Sequence, residues 1–297
     1  FYLLKKNSSA EERRTVTKKS ERTENTMKLR ADFHTHTTYC DGKSTPRQMV
    51  EAAYRMGLTD LGISGHADYS MWEPGFGMSD AILSAYKQEL EILREEYAGK
   101  MNIYIGIELD TLGPVQQAEY AIGSTHSILK DGHLVTVDDT EEKLVQAVET
   151  LWNGDWYAMA RDYFELEATV YDKLHCDWVG HFDLLTKFNE GYKHFDEMKD
   201  AYLEPALAAM KKLHRQGLPF EINTGAMSRG YRTAPYPNPI LLRELHAMGG
   251  RIMINSDSHS AGTIAYAFDQ AEKIAYECGF RNVTVWSKDG FREIPLG

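Results

Sequence analysis

The sequence predicts an α/β fold whose main strands run parallel. Short β-rich runs alternate with helical stretches from Met27 onwards, and a chain of 297 residues is long enough to bury a sizeable core. Strand–helix alternation at this spacing is typical of parallel sheets. Seven or eight such units favour a barrel over an open sheet, although periodicity alone does not separate the two.

The predicted elements follow in chain order from the apolar pattern. Strands are predicted at residues 29–33, 59–64, 102–108, 120–124, 177–180, 219–223, 251–255 and 282–286. Helices are predicted at residues 46–56, 80–97, 140–153, 155–174, 195–216, 239–248 and 263–278. Pro46 fits a first helical turn because it follows Ser44 and Thr45, and Gly57 and Gly217 fit the ends of helices.

Composition limits the domain organisation and the compartment. Residues 1–26 are polar and dense in charge, so we expect a disordered or non-native N-terminal extension followed by one domain over residues 27–297. Cys40, Cys176 and Cys278 are too few and too widely separated for a disulfide framework, which suits a reducing compartment. No apolar run is long enough to span a membrane, and we expect a cytoplasmic protein.

Charge disfavours nucleic acid as a partner. The formal net charge is −11, whereas a surface that binds a nucleic-acid backbone normally carries a basic stripe. A small phosphorylated substrate remains compatible with this charge, because bound divalent cations would invert the local field. The sequence leaves the oligomeric state open.

Metal-capable side chains stand at or just after six of the predicted strand ends. Since the carboxyl ends of parallel strands share one face of an α/β fold, these side chains are expected to meet at one mouth. They are His34, His36, His66, Glu108, His126, His181, Asp257 and His259, with further carboxylates close by in sequence at Asp41, Asp68 and Asp110.

The spacing and the residue types favour several ions over one. Alternate side chains of an extended segment share a face, so His34 and His36 can chelate one ion, and Asp257 and His259 repeat this geometry. Imidazole with carboxylate suits Zn, Mn or Fe. Eight or more ligands exceed the needs of one ion, which predicts two or three divalent metal ions.

Each of these residues also has an ordinary structural interpretation. A single His-x-His is usually surface or core histidine, and an Asp after a strand is often a helix cap, as Asp68 and Asp183 could be. The histidines away from the strand ends are interpreted as structural or surface residues: His133, His175, His194, His214 and His246. Six strand ends together are difficult to explain by capping, so the joint pattern favours a polynuclear site.

The motifs resemble those of the PHP (polymerase and histidinol phosphatase) superfamily from about Met27 to the C-terminus. The segments that carry the resemblance are residues 32–36, 40–42, 65–68, 106–108, 123–126, 180–181 and 256–259. The resemblance implies a distorted (β/α)7 TIM-like barrel and a trinuclear metal centre.

The resemblance also implies a partition of ligands among three ions. The first ion would be held by His34, His36, Glu108 and Asp257. Glu108 would bridge to a second ion, which His126 and His181 would also bind. The third would be held by Asp41, His66 and His259. Family members vary between Asp and His near the position of Asp41.

Within the superfamily the chain is most similar to the histidinol-phosphate phosphatases, which release phosphate in histidine biosynthesis. The supporting segments are residues 221–232 and 235–237, a strand that runs into a glycine-containing loop with two arginines. Because a guanidinium group binds phosphate through a planar fork, Arg229 is predicted to bind the substrate phosphate, with Arg232 as an alternate or helper. Lys187 is a weaker candidate. The alternative is an arginine that pairs with acidic surface.

The resulting hypothesis is a metal-dependent phosphomonoesterase acting on histidinol phosphate. A metal-bridging hydroxide would attack phosphorus, and Asp257 or His259 would protonate the leaving oxygen. Residues 69–78 are expected to form a loop over the mouth. Three alternatives stay open at this stage: a phosphodiesterase or nuclease of the same superfamily, a phosphatase for another small phosphate ester, and a non-catalytic module.

Overall fold

The structure, a computed structural model, describes residues 29–296. The predicted N-terminal extension at residues 1–26, and the predicted start of the domain at Met27, lie outside the described residues. Within the described part of the chain, no helix is both long enough and apolar enough to cross a membrane.

Strands and helices alternate as the sequence predicts. The strands are β1 Ala31–Asp32, β2 Asp60–Ile63, β3 Asn102–Asp110, β4 Tyr120–Ser124, β5 Ser127–Lys130, β6 His133–Thr136, β7 Trp178–Val179, β8 Phe220–Asn223, β9 Ile252–Asn255, β10 Asn282–Ser287 and β11 Gly290–Pro295. The helices are α1 Pro46–Met56, α2 Asp80–Glu96, α3 Glu141–Leu151, α4 Trp156–Glu167, α5 Val170–Leu174, α6 Asp200–Arg215, α7 Gly225–Ser228, α8 Pro239–Ala247 and α9 Phe268–Glu277.

Seven parallel strands form the main sheet, in the order β1-β2-β3-β4-β7-β8-β9. The two edge strands approach each other at their carboxyl ends, where Thr35 and Ser258 form a parallel bridge. The side chain of Asn255 accepts a hydrogen bond from the Phe33 amide at 2.9 Å across the same gap. The sheet is therefore a nearly closed seven-stranded barrel, and the predicted distorted (β/α)7 TIM-like fold is confirmed.

The eighth predicted strand lies outside the barrel. Residues 282–286 fall in β10, which pairs antiparallel with β11. This hairpin packs over the amino-terminal ends of the barrel strands, where Trp286 lies 6.1 Å from Tyr120 and 6.3 Å from Trp178, measured between ring centroids. Apolar periodicity predicts that a strand exists but not which strand it pairs with, and for this reason the unit count was ambiguous.

A second hairpin, β5–β6, was not predicted. It follows β4 directly and turns through Asp131 and Gly132, whose φ angles are 48° and 82°. An Asp-Gly pair is a strong signal for a two-residue hairpin turn, because both central residues need positive φ. The sequence signal was present, but the flanking strands are only four residues long.

Helix boundaries agree well at the first helix and less well elsewhere. Thr45 and Gln48 form a capping box at the start of α1, and Gly57, which follows the helix, has a φ of 85°. The single helix predicted at 155–174 is two helices, α4 and α5. The helices predicted to start at residues 195 and 263 begin later, at Asp200 and Phe268.

Candidate metal centre

The ends of the barrel strands bring all nine predicted metal ligands to one mouth. His34 and His36 follow β1, His66 follows β2, and Glu108 lies near the end of β3. The remaining ligands stand after β4, β7 and β9 or on the loop after His36: His126, His181, Asp257, His259 and Asp41. His34 and His36 are fully buried, and Glu108 is only 2% exposed. The shared face of parallel strand ends is the physical reason that residues so distant in sequence meet.

Glu108 lies at the centre of the cluster, with histidines close to both of its carboxylate oxygens. Its Oε2 atom is 3.1 Å from His66 Nδ1, 3.2 Å from His34 Nε2 and 3.4 Å from His36 Nε2. Its Oε1 atom is 2.9 Å from His181 Nε2 and 3.4 Å from His126 Nε2. A carboxylate with its two oxygens directed to different groups of imidazoles has the geometry of a bridging ligand.

Asp257 completes the group that contains the His-x-His pair. Its Oδ1 atom lies 3.3 Å from His36 Nε2 and 3.7 Å from His34 Nε2. These two histidines thus have a carboxylate oxygen from Glu108 and one from Asp257 within reach of the same ring nitrogens. The four side chains are those that the family resemblance implied for the first ion.

A third group surrounds Asp41 at the outer side of the cluster. His259 Nε2 is 3.0 Å from Asp41 Oδ2, and His66 Nε2 is 3.7 Å from Asp41 Oδ1. The ring of His36 stacks on that of His259 with 4.1 Å between centroids. Ligand atoms of these four residues all lie within 4.8 Å of one another, so neighbouring groups share His36.

Several buried atoms in this cluster lack a satisfied hydrogen bond. Among the described residues, His34 Nε2, His36 Nε2 and Glu108 Oε2 have no partner with hydrogen-bond geometry. An unsatisfied buried polar atom costs about 1–3 kcal/mol, so three that converge on one point need a further partner. A divalent cation would supply that partner, and the donor set of imidazole and carboxylate fits Zn, Mn or Fe.

The protonation states of His36 and Glu108 also suit a cation. Burial lowers the pKa of His36 to about 3, and the neighbouring imidazoles of His259 and His66 act in the same direction. Burial alone would raise the pKa of Glu108, but the surrounding histidines, His34 first, hold it well below its ordinary value. His36 and Glu108 are therefore in the forms that bind metal, a neutral imidazole and an ionised carboxylate. Burial would lower the pKa of His34 and of His126, but the carboxylates around them raise it well above its ordinary value, so each imidazole would lose a proton on binding a cation.

Two further carboxylates orient the histidines from behind. Glu221 Oε1 is 2.8 Å from His34 Nδ1, and its Oε2 atom accepts a hydrogen bond from the His181 amide at 3.1 Å. Asp110 Oδ2 lies 3.0 Å from His126 Nδ1. Such contacts fix the ring and the tautomer of a ligating histidine. The sequence indicated Asp110 as a nearby carboxylate but not the role of Glu221, although a glutamate between Phe220 and Ile222 in a predicted strand is itself a signal.

The cluster forms the floor of a cavity of about 750 Å³. The loop at residues 69–78, expected over the mouth, contributes Tyr69, Glu73 and Phe76 to the wall. Asp138 and Tyr231 also line it. The cavity is large enough for a small phosphate ester, and its walls offer both charge and aromatic surface.

Arg229 and Lys187 line this cavity, whereas Arg232 does not. Arg229 donates to Asp257 Oδ2 at 3.0 Å and to the Asp257 carbonyl at 3.1 Å. The ammonium group of Lys187 lies 3.6 Å from Asp138 Oδ2 and 4.9 Å from the centre of the Tyr231 ring. Arg229 and Lys187 are therefore placed for an anion at the floor and at the wall of the cavity.

The prediction that Arg232 helps to bind the substrate is corrected by its position. Its Nη1 atom donates to the fully buried Glu197 at 2.8 Å and to the Thr186 carbonyl at 2.7 Å. Arg232 lies outside the lining of the cavity, so its guanidinium group is not placed to contact an anion there. The sequence showed two arginines on one loop, but not that the second meets a carboxylate 35 residues away.

Asp68 and Asp183, which could be helix caps, both accept backbone hydrogen bonds, and Asp68 also lines the cavity. Asp68 accepts a hydrogen bond from the Ser70 amide at 2.9 Å, and Asp183 accepts one from the Asn238 amide at 2.9 Å. The histidines interpreted as structural or surface residues stand outside the lining of the cavity: His133, His175, His194, His214 and His246.

Comparison with known proteins assigns the family. The model of the PHP domain matches residues 32–225. A Deinococcus radiodurans protein named "Probable histidinol-phosphatase" is 29% identical over 270 residues, which cover 85% of this chain and 95% of that protein. The histidinol-phosphatase of Bacillus subtilis is 24% identical over 267 residues, 80% of this chain and 96% of that protein.

A solved structure supports the fold. Histidinol phosphate phosphatase from Lactococcus lactis, complexed with Zn, L-histidinol and phosphate, superimposes with a TM-score of 0.66 at 21% identity. The match covers 89% of this chain and 98% of that structure. Because the family model matches well over half of the sequence and spans the motifs from Asp32 to His181, this chain belongs to the PHP domain family.

Proposed function

We propose that this chain is a metal-dependent phosphomonoesterase that hydrolyses L-histidinol phosphate to L-histidinol and phosphate. The observation that carries the proposal is the bridging geometry of Glu108, whose two carboxylate oxygens face different histidine groups at the floor of a closed-ended cavity. The relatives named histidinol-phosphatase, and the Lactococcus lactis structure with L-histidinol and phosphate, support the choice of substrate.

The proposed centre holds two or three divalent ions. His34, His36, Glu108 and Asp257 would bind the first, and Glu108 would be shared with a second ion at His126 and His181. Asp41, His66 and His259 would bind a third. The Zn in the Lactococcus lactis structure favours zinc here, although Mn and Fe accept the same ligands. When bound, such ions lower the pKa of water and neutralise charge on phosphoryl oxygens.

The side chains of this chain would bind and orient the phosphate ester. Arg229 lines the cavity and donates a hydrogen bond to Asp257. Its guanidinium group would therefore contact a phosphoryl oxygen of an ester bound next to Asp257. Lys187 would add a second positive charge at the wall. We propose that Asp257 or His259 protonates the leaving oxygen, because both residues line the cavity beside Arg229.

The test is phosphate release by protein reconstituted separately with Zn, Mn and Fe. L-Histidinol phosphate, a panel of other phosphate monoesters and short oligonucleotides would be compared at equal concentration. We expect the highest kcat/KM for L-histidinol phosphate and none for oligonucleotides, in keeping with the net charge of −11. Faster cleavage of oligonucleotides would support the nuclease alternative, and no turnover with any metal would support the non-catalytic one.

A further inference from the structure

A buried carboxylate, Glu197, joins three segments of the chain beside the mouth of the barrel. Its side chain is fully buried and accepts four hydrogen bonds. Oε1 accepts from Asn189 Nδ2 at 3.0 Å and from Arg232 Nη1 at 2.8 Å. Oε2 accepts from Asn238 Nδ2 at 2.6 Å and from Arg232 Nη2 at 3.3 Å. Every donor that the carboxylate accepts from is thus located on a loop, not on a barrel strand.

These contacts attach both ends of one loop to the segment after His181. The loop, residues 229–238, leaves the short helix α7 and ends at the first turn of α8. Arg232 also donates to the Thr186 carbonyl at 2.7 Å, and the Asn238 amide donates to Asp183 at 2.9 Å. The position of the loop relative to the ligand His181 therefore depends on this network.

The same loop starts at Arg229, only three residues before Arg232. The backbone between them is compact, because the Tyr231 amide donates to the Ala226 carbonyl at 2.9 Å. Gly225 leaves room for the side chains on the cavity side: a Cβ atom there would lie 2.6 Å from Asp257 Oδ2 and 2.8 Å from Arg229 Nη2. A small shift of the loop would therefore move the guanidinium group of Arg229 relative to Asp257.

We infer that Glu197 is a positioning residue, which through Arg232 holds Arg229 against Asp257 and towards the phosphate of the substrate. A buried ion pair adds little net stability compared with apolar residues of similar size, but it specifies one geometry. The four convergent hydrogen bonds to one carboxylate are of that kind. The inference rests on the phosphate-binding role proposed for Arg229.

The test is a double-mutant cycle with Glu197→Gln, Arg229→Ala and the combined variant. Affinity for inorganic phosphate is measured on the metal-loaded proteins, together with metal content, KM and kcat for whichever ester the wild type hydrolyses. We expect Glu197→Gln to weaken phosphate binding roughly 10-fold with full metal content, because a displaced Arg229 would form a weaker charge-assisted hydrogen bond to the phosphate. In the Arg229→Ala background the same change should have almost no effect.

Two further variants keep the test decisive. Arg232→Lys removes the fork but keeps the charge, and it should reproduce the effect and the coupling if Glu197→Gln fails to fold. Glu167→Gln, a buried carboxylate on α4 with no hydrogen bond to this loop, is the matched control and should show no coupling to Arg229.

Additive effects of Glu197→Gln and Arg229→Ala would overturn the inference, as would a loss of phosphate affinity that follows a loss of metal. Phosphate affinity requires no particular ester. A wild type that binds phosphate but does not turn over L-histidinol phosphate would therefore count against the proposed substrate and leave the coupling measurable.

Discussion

The two ends of the barrel are built from opposite kinds of residue. At the carboxyl ends of the strands, histidines and carboxylates are buried around Glu108. At the amino ends, Tyr120 stacks on Trp178 at 4.8 Å, and Trp286 packs on Phe291 at 5.1 Å, both measured between ring centroids. The β10–β11 hairpin covers that end. The amino ends of the strands therefore contribute apolar packing, and the carboxyl ends hold the polar residues of the candidate site.

The physical cost of the two ends differs accordingly. Fully burying a large apolar side chain stabilises the folded state by about 1.5–3 kcal/mol, so the aromatic end requires no bound ion to offset a cost of burial. Buried carboxylates and unsatisfied imidazole nitrogens are unfavourable unless a cation or a proton accompanies them. We therefore expect the mouth to depend on metal and on pH, and the aromatic end to depend on neither.

Glu108→Gln should have the largest effect on metal binding and activity at the mouth of the barrel. An amide cannot bridge two ions as a carboxylate does, so we expect loss of bound metal and a fall in kcat/KM on the order of 10³. Metal content and phosphate release are measured on the same samples. Glu119→Gln, which alters an exposed pair with Arg94, is the control and should keep both. A Glu108→Gln protein with full metal content and activity would contradict the bridging role.

Glu167→Gln should change the pH dependence of stability. Burial raises the pKa of Glu167 to about 8 from an ordinary value of 4.5. The folded state thus retains a proton that the unfolded state has lost, and the wild type loses stability as pH rises from about 5 to 8. Denaturant titrations should show a fall of roughly 3 kcal/mol relative to the variant over that range. Parallel pH profiles for the two proteins would contradict the shifted pKa.

Trp286→Ala should weaken the aromatic end and leave the mouth intact. Removal of this partly buried ring creates a cavity against Tyr120 and Trp178, and we expect the free energy of unfolding to fall by roughly 2–3 kcal/mol. Metal affinity and kcat, measured well below the melting temperature, should equal those of the wild type. A parallel loss of metal affinity would show that the two ends are coupled.

Glu221→Gln should have the smallest effect of these substitutions. It distinguishes the residues that would bind metal from the carboxylates that orient them. The change removes the carboxylate that lies on His34 Nδ1, and we expect metal affinity to fall about 10- to 100-fold. Competition with a chelator measures the metal affinity. Asn223→Asp alters a buried residue that donates a hydrogen bond to Glu221, and it tests whether the charge near His34 or the position of the Glu221 carboxylate determines that affinity. An unchanged metal affinity would contradict the role of Glu221 in orienting His34.

Much of the fold and of the site could be predicted because both follow from local patterns. Tyr120–Ser124 was predicted with its observed bounds, and most of the predicted ligands could be named because they stand at the ends of parallel strands. Asp41 lies on a loop, and its place in the set came from the family resemblance. The partners of β10 and of Arg232 could not be predicted, since periodicity does not specify which distant element packs on a given one. Glu221 lies 187 residues from His34, and only the closed barrel makes them neighbours.

The central claim is that Glu108 is shared between metal ions, and anomalous diffraction from crystals loaded with Zn tests it most directly. We expect at least two peaks, one on the side of His34 and His36 and another on the side of His126 and His181, separated by about 3.5–4 Å. A single peak that only one Glu108 oxygen contacts, or peaks remote from Glu108, would contradict it.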